Sequence, residues 1–187
     1  CGLERTSEGQ IARDNRATAI RTSCDQSLQR LGVEQIDLFY LHRIDPQVPI
    51  EDSMGVMAEL VRAGKIRYAG ISEASPETLR RAHRTHPVAA LQSELSAWTR
   101  NACRAALETC KELGVAFVAY SPLGRGFLTG AISSVADIPD GDTRRMFPRF
   151  QADNLQHNRA AAEGLQELAR GIGCTPAQLS LAWVLGQ

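Results

Sequence analysis

Four hydrogen-bonding side chains stand at the ends of short apolar runs. His42 follows IDLFYL, Ser72 follows IRYAGI, Gln92 closes VAALQ, and Tyr120 closes VAFVAY with Ser121 next to it. In a protein of alternating parallel strands and helices, reactive groups gather at the C-terminal strand ends, where variable loops converge over a rigid sheet. One polar residue at such an end is commonplace. Four of four mark these ends as a candidate site whose chemistry is hydrogen bonding. Thiol and metal chemistry find less support. The five cysteines (Cys1, Cys24, Cys103, Cys110 and Cys174) have neither metal-ligand nor CxxC spacing, which reads as reduced thiols. No run is followed by GxGxxG or GxxxxGK[ST], the phosphate loops of open nucleotide-binding sheets.

The positioning elements follow from hydrophobic period. Ala17, Ile20, Cys24, Leu28 and Leu31 fall at helical spacing, and Gly32 sits where a helix end wants a left-handed residue. On that stripe Cys24 reads as a small buried hydrophobe. The run 36–41 is nearly uniform in its hydrophobicity, as expected of a strand covered on both faces. The unit then repeats: helix 51–62 and strand 66–71, helix 76–84 and strand 88–92, helix 102–113 and strand 115–120. Ser75 with Pro76 reads as an N-cap followed by proline at the first helical position. Strand starts recur every 22 to 30 residues or so, the size of a βα unit. Residues 121–154 are rich in Gly, Pro, Asp and Arg without a period, which points to a functional loop. Helices over 155–170 and 176–185 end the sequence.

Four parallel strands can be an arc of a barrel or part of an open sheet. A (β/α)₈ barrel needs about eight units and ~250 residues; this sequence has 187. The composition is that of an ordinary globular domain, 43% hydrophobic and 22% charged, and one domain over 1–187 is expected. The 21 basic and 21 acidic residues cancel, which argues against nucleic acid as a partner. Nineteen of the basic residues are arginines; the lysines are Lys65 and Lys111. No stretch approaches the ~20 apolar residues of a membrane span. No leader pattern opens the sequence, so a cytoplasmic location is expected. The first residue is Cys1 rather than Met, and the expectation is a fragment or a processed product.

LFYLHRIDP (38–46), GKIRYAGISEAS (64–75), ALQSELSAWTR (90–100) and VAYSPLGRGFLTG (118–130) resemble, in order and spacing, the aldo-keto reductases. The likeness is greatest to bacterial and plant members of the perakine-reductase-like and auxin-induced-like kind. The resemblance implies a TIM (β/α)₈ barrel, here a partial one of about four central βα units plus C-terminal helices. It implies NADPH-dependent reduction of aldehydes or ketones, with a small-molecule carbonyl compound as substrate. His42 would match the histidine that reaches the substrate carbonyl oxygen. Ser72 and Gln92 would hold the nicotinamide carboxamide of NADP(H), and Tyr120 would stack under the nicotinamide ring. Ser121, Leu123, Gly124 and Gly126 would follow the pyrophosphate, with glycine allowing close backbone approach. Glu73 stands where the family often has Asn, a departure at the position of the second carboxamide contact. Trp98 could line the substrate pocket or fill the core. Arg125 could add a positive charge at the phosphates or face water. His83, His86 and His157 read as surface residues, Tyr40 and Tyr68 as structural, and Asp45 and Glu51 as the start of a loop and a helix.

The resemblance also implies what is lacking. The family's proton-donating tyrosine, with the lysine that lowers its pKa and an aspartate paired to that lysine, belongs to strands upstream of the histidine strand. Some 35 residues precede Ile36, and they resemble the tail of the third βα unit. Lys65 precedes a strand and is expected at the opposite rim. The family's loop for the adenosine 2′-phosphate lies beyond AWVLGQ. The expectation is a truncated chain without turnover. A cofactor-binding accessory protein of the same fold comes second, and an unrelated half-barrel closing by dimerisation third. An open arc should also leave unpaired edges and an uncovered apolar face, a hazard for aggregation.

Overall fold

Gly32, at φ +67°, ends the first helix, α1 (Ala17–Leu31), in the left-handed conformation that glycine adopts without a Cβ penalty. The period then alternates as the sequence suggests. In the computed structural model, which describes residues 1–5 and 10–187, a short antiparallel hairpin of β1 (Leu3–Arg5) and β2 (Ile11–Arg13) precedes α1. After α1 come β3 (Ile36–Leu41), α2 (Ile50–Arg62), β4 (Ile66–Ser72), α3 (Pro76–Thr85), β5 (Val88–Glu94), α4 (Asn101–Leu113) and β6 (Ala116–Tyr120). Strands β3 to β6 form one sheet in the order β3-β4-β5-β6, with parallel pairing of β3 to β4 and of β4 to β5. No closed barrel is present among the described residues; the sheet is an arc of one.

The chain folds as two compact units, Cys1–Ser93 with Ala102–Val118, and Glu94–Asn101 with Ala119–Gln187. In the first, the core lies between the sheet and its helices. Phe39, Leu41, Ala69, Ile71 and Leu91 from the strands meet Ile20, Cys24, Met54, Met57, Leu60, Leu79 and Ala82 from α1, α2 and α3. Cys24 is fully buried, as its place on the α1 stripe implies. Ser75 caps α3, its hydroxyl accepting from the Thr78 N–H at 3.1 Å. Coverage on both faces does not hold for β3, where Phe39 and Leu41 are buried on the helix side while Leu38 and Tyr40 on the other are half-buried.

In the second unit, residues 121–151 are built from four short 3₁₀ turns (Gly124–Thr129, Val135–Asp137, Thr143–Met146 and Pro148–Phe150). Two helices follow, α5 (Ala152–Gly171) and α6 (Pro176–Leu185). Its core gathers Phe127, Leu128, Ile132, Ile138, Phe150, Leu155 and Ala162, with Trp98 packed against them. Thr175 and Gln178 close a capping box at the start of α6.

Candidate active site

Register decides which side chains share a face. Tyr40 pairs with Gly70, Gly70 with Ala90, and Ser72 with Gln92. Alternation along strands then puts His42, Ser72 and Gln92 on the sheet face opposite the helix-packed Leu41, Ile71 and Leu91, one step beyond Tyr40, Gly70 and Ala90. Three of the four expected residues of the strand ends therefore stand in one row of the first unit. Close packing sets the row beneath: a Cβ on Gly70 would lie 2.6 Å from Cε1 of Tyr40. This position admits glycine because a ring lies against it.

His42 is exposed, and its backbone N–H donates to the Cys1 carbonyl at 2.8 Å. The amino group of Cys1 donates to the Tyr40 carbonyl at 2.9 Å. Cys1 thus pairs with the end of β3 as a further strand residue would. Partial burial of the ring holds the His42 pKa below the usual histidine value, and the Arg43 cation and the amino terminus push the same way. The imidazole is neutral at neutral pH, with one nitrogen free to donate and the other to accept.

Arg43 is the neighbour that the sequence did not single out. Its Nη1 donates to the His42 carbonyl at 2.7 Å and to the Ser72 hydroxyl at 3.3 Å. Ser72 is buried at 1% exposure, so this guanidinium stands at the one polar atom of its side chain. Glu73 follows at φ +54°, a left-handed conformation that costs most residues energy. Its N–H donates to the Gln92 carbonyl at 2.9 Å and continues the β4–β5 ladder.

In the second unit Tyr120 ends β6, and its carbonyl accepts from the Leu95 N–H at 3.3 Å. Ser121 is left-handed at φ +52°, as are Gly124 (+58°), Arg125 (+57°) and Gly126 (+94°). The N–H of Gly124 donates to Ser121 at 2.9 Å and that of Gly126 to Leu123 at 3.1 Å. Both glycine donors are engaged inside the turn, so what the glycines supply is backbone conformation. Trp98 packs on this turn: a Cβ on Gly124 would lie 2.9 Å from Cε3 of the indole. Trp98 also stacks on Phe127, with centroids 4.2 Å apart, and meets the edge of Phe150. Of the two places expected for Trp98, the substrate pocket and the core, packing in this aromatic cluster matches the second. The Arg125 guanidinium lies over the Phe147 ring, 4.4 Å from its centroid.

The lysines lie elsewhere. Lys65 precedes β4, at the end of the sheet away from His42, and is ion-paired to Asp25 at 2.5 Å. Lys111 belongs to α4. Among the described residues no cluster of His, Cys, Asp and Glu could hold a metal ion, and no helix is long and apolar enough to cross a membrane.

Residues 5–187 match the model of the aldo/keto reductase family. The chain belongs to the aldo/keto reductase family. It is 49% identical over 168 residues to "Probable aldo-keto reductase 1" of Glycine max, a match covering 90% of this chain and 48% of that protein. It spans about half the length of the curated relative it matches. Among solved structures, it is similar to the glycerol dehydrogenase AKR11B4 from Gluconobacter oxydans. The TM-score is 0.89 at 32% identity, over 100% of this chain and 58% of that one. A second is the thermostable aldo-keto reductase Tm1743 in complex with the inhibitor epalrestat, with a TM-score of 0.66 at 30% identity. That match covers 91% of this chain and 53% of the other. The parallel sheet is therefore an arc of this family's TIM barrel.

Proposed function

We propose that the chain carries the histidine side and the nicotinamide cradle of an NADPH-dependent reductase of aldehydes and ketones. The observation that carries this reading is the register that sets Ser72 beside Gln92 at the ends of β4 and β5, with His42 directly following the end of the adjacent strand β3. The bound cofactor would supply a hydride; the residues of this chain bind and orient it and polarise the substrate. His42, neutral and exposed, donates a hydrogen bond to the substrate carbonyl oxygen and polarises it. The Ser72 hydroxyl and the Gln92 carboxamide hold the nicotinamide carboxamide, and Arg43 competes for the Ser72 oxygen when no ligand is there. In the second unit, Tyr120 stacks on the nicotinamide ring, while Ser121, Leu123, Gly124 and Gly126 shape the turn along the pyrophosphate. Left-handed backbone concentrated at Glu73, Ser121 and Arg125 supports the assignment, since such strain gathers at ligand sites.

Proton delivery is another matter. Among the described residues, Lys65 lies at the far end of the sheet, committed to Asp25, and Lys111 belongs to α4. A cofactor-binding or accessory role of the same fold is the second reading, which NADPH binding without reductase turnover would favour. The test is a titration of the purified chain with NADPH and NADH, followed by nicotinamide fluorescence, alongside an assay with a broad panel of aldehydes. Saturable binding is expected, weakened roughly tenfold in Gln92→Ala, as for the loss of one good hydrogen bond. Absence of binding to either nucleotide, or a Gln92→Ala variant that binds like the parent, would refute it.

A further inference from the structure

Arg149 belongs to the short turn Pro148–Phe150, 55 residues beyond Glu94, yet the two meet. Its Nη1 donates to the Glu94 carboxylate at 2.8 Å and to the Thr99 hydroxyl at 3.3 Å, and Thr99 donates to the same Glu94 oxygen at 3.0 Å. The three polar groups form a closed triangle. The Glu94 side chain is 16% exposed and that of Arg149 34%, so solvent screens this pair less than an open surface pair. The guanidinium also lies over the Trp98 indole, 4.8 Å from the ring centroid. A planar cation that lies over an aromatic face while one of its nitrogens is shared between a carboxylate and a hydroxyl uses the flat, delocalised guanidinium, which lysine lacks.

Trp98 is thereby fixed from several sides. Ser96, itself fully buried, accepts from the N–H groups of Trp98 at 3.2 Å and Thr99 at 3.0 Å and shapes the turn that presents the indole. Phe127 stacks on one side, and Arg149 lies over the ring. The atom nearest the absent Cβ of Gly124 is Cε3 of that indole. Any rotation of the indole would therefore move the left-handed turn.

We propose that Arg149 is a positioning residue for cofactor binding: anchored by Glu94 and Thr99, it holds Trp98 against Gly124 and so fixes the turn 121–126. The inference rests on the cofactor role proposed above for that turn. Arg144 braces the same turn independently, donating to the Arg125 carbonyl at 3.2 Å while paired with Asp142. The segment 142–150 thus reaches the turn directly through Arg144 and by way of Trp98 through Arg149.

The experiment uses the full chain carrying Trp183→Phe, which leaves Trp98 as its one indole because the sequence holds two tryptophans. Near-ultraviolet circular dichroism reads the order of Trp98 without ligand, and NADPH titration reads the consequence. Arg149→Ala should flatten the indole bands, leave the far-ultraviolet spectrum intact, and raise the NADPH dissociation constant on the order of tenfold, within the usual range for residues acting through others. Arg149→Lys keeps the charge but loses the stack, and should fall between. Glu94→Gln keeps an acceptor and the stack, and should stay nearer the parent. Unchanged indole bands in Arg149→Ala overturn the inference, and so do flattened bands with an unchanged dissociation constant. If Arg149→Ala unfolds, the comparison of Arg149→Lys with Glu94→Gln decides, and equal affinities overturn it. A Trp183→Phe parent that binds neither NADPH nor NADH overturns the cofactor reading itself, a result distinct from any difference among the Arg149 variants.

Discussion

The four strand-end residues differ in how far their surroundings prepare them. For His42 the decisive property is charge state. Partial burial, Arg43 and the amino terminus all disfavour the imidazolium. NMR titration of the ring protons should give a midpoint below the unfolded-chain value of ~6.5, and Arg43→Ala should move it up. Because the folded pKa is depressed, the unfolded chain takes up the proton first as pH falls. Folding therefore weakens between ~6.5 and the folded value and is unaffected by His42 above that window. A midpoint at or above that of a model peptide would contradict the assignment. Glu73 carries a different strain. A left-handed conformation favours Asn or Gly over Glu, so Glu73→Asn should raise stability by about 0.5–1 kcal/mol in urea unfolding. A loss of stability would show that the Glu73 side chain outweighs its backbone cost.

Elements were far more legible in the sequence than the contacts between them. The boundaries of α1, β3, α3 and α6 lie within two residues of the periodic pattern, because one face of each is apolar and the stop signals are glycine, proline and serine. The hairpin β1–β2 was not legible. Three-residue strands contain too few residues to show a period. The stretch 121–154 looked structureless because 3₁₀ turns have no apolar stripe to display. Arg43 and the Glu94–Arg149 pair escaped for a third reason. Their partners are 29 and 55 residues away, and nothing in one chain's order announces which charges will meet. Packing between elements also makes a prediction at Gly70. The Tyr40 ring occupies the space of a Cβ there, so Gly70→Ala should cost about 1–3 kcal/mol, as overpacking does. Tyr40→Ala in the same background should recover part of that loss. Additive losses would mean that the ring does not press on this position. Within α4, burial pushes the Cys110 thiol up to about 11, and the residue is 2% exposed. At pH 8 Cys110 should resist a thiol-specific reagent under native conditions while half-buried Cys174 reacts, with mass spectrometry of the peptides separating them. Prompt labelling of Cys110 would place α4 among the opening parts of the fold.

For the whole molecule, the question is what its open surfaces do in water. In the first unit the helices cover the Leu41, Ile71 and Leu91 face of the sheet, while the opposite face presents half-buried Leu38 and Tyr40 beside exposed Tyr68. In the second unit α5 and α6 expose Leu168 (57%), Ile172 (60%) and Leu185 (87%). Single apolar residues on a surface mean little, but runs of them on a sheet face and on a helix pair favour association. The charge balance gives no opposing repulsion, since the net charge is zero near pH 7. Light scattering of the purified chain should therefore report a mass above 20.4 kDa that grows with concentration. Tyr68→Glu and the pair Leu168→Glu with Ile172→Glu place a charge in one unit or the other. If the sheet face drives association, the first lowers the mass and the second does not; if α5 drives it, the order reverses. A single 20.4 kDa species at every concentration, with a cooperative melt, would mean that neither surface drives association and that the arc of four strands is stable as it stands.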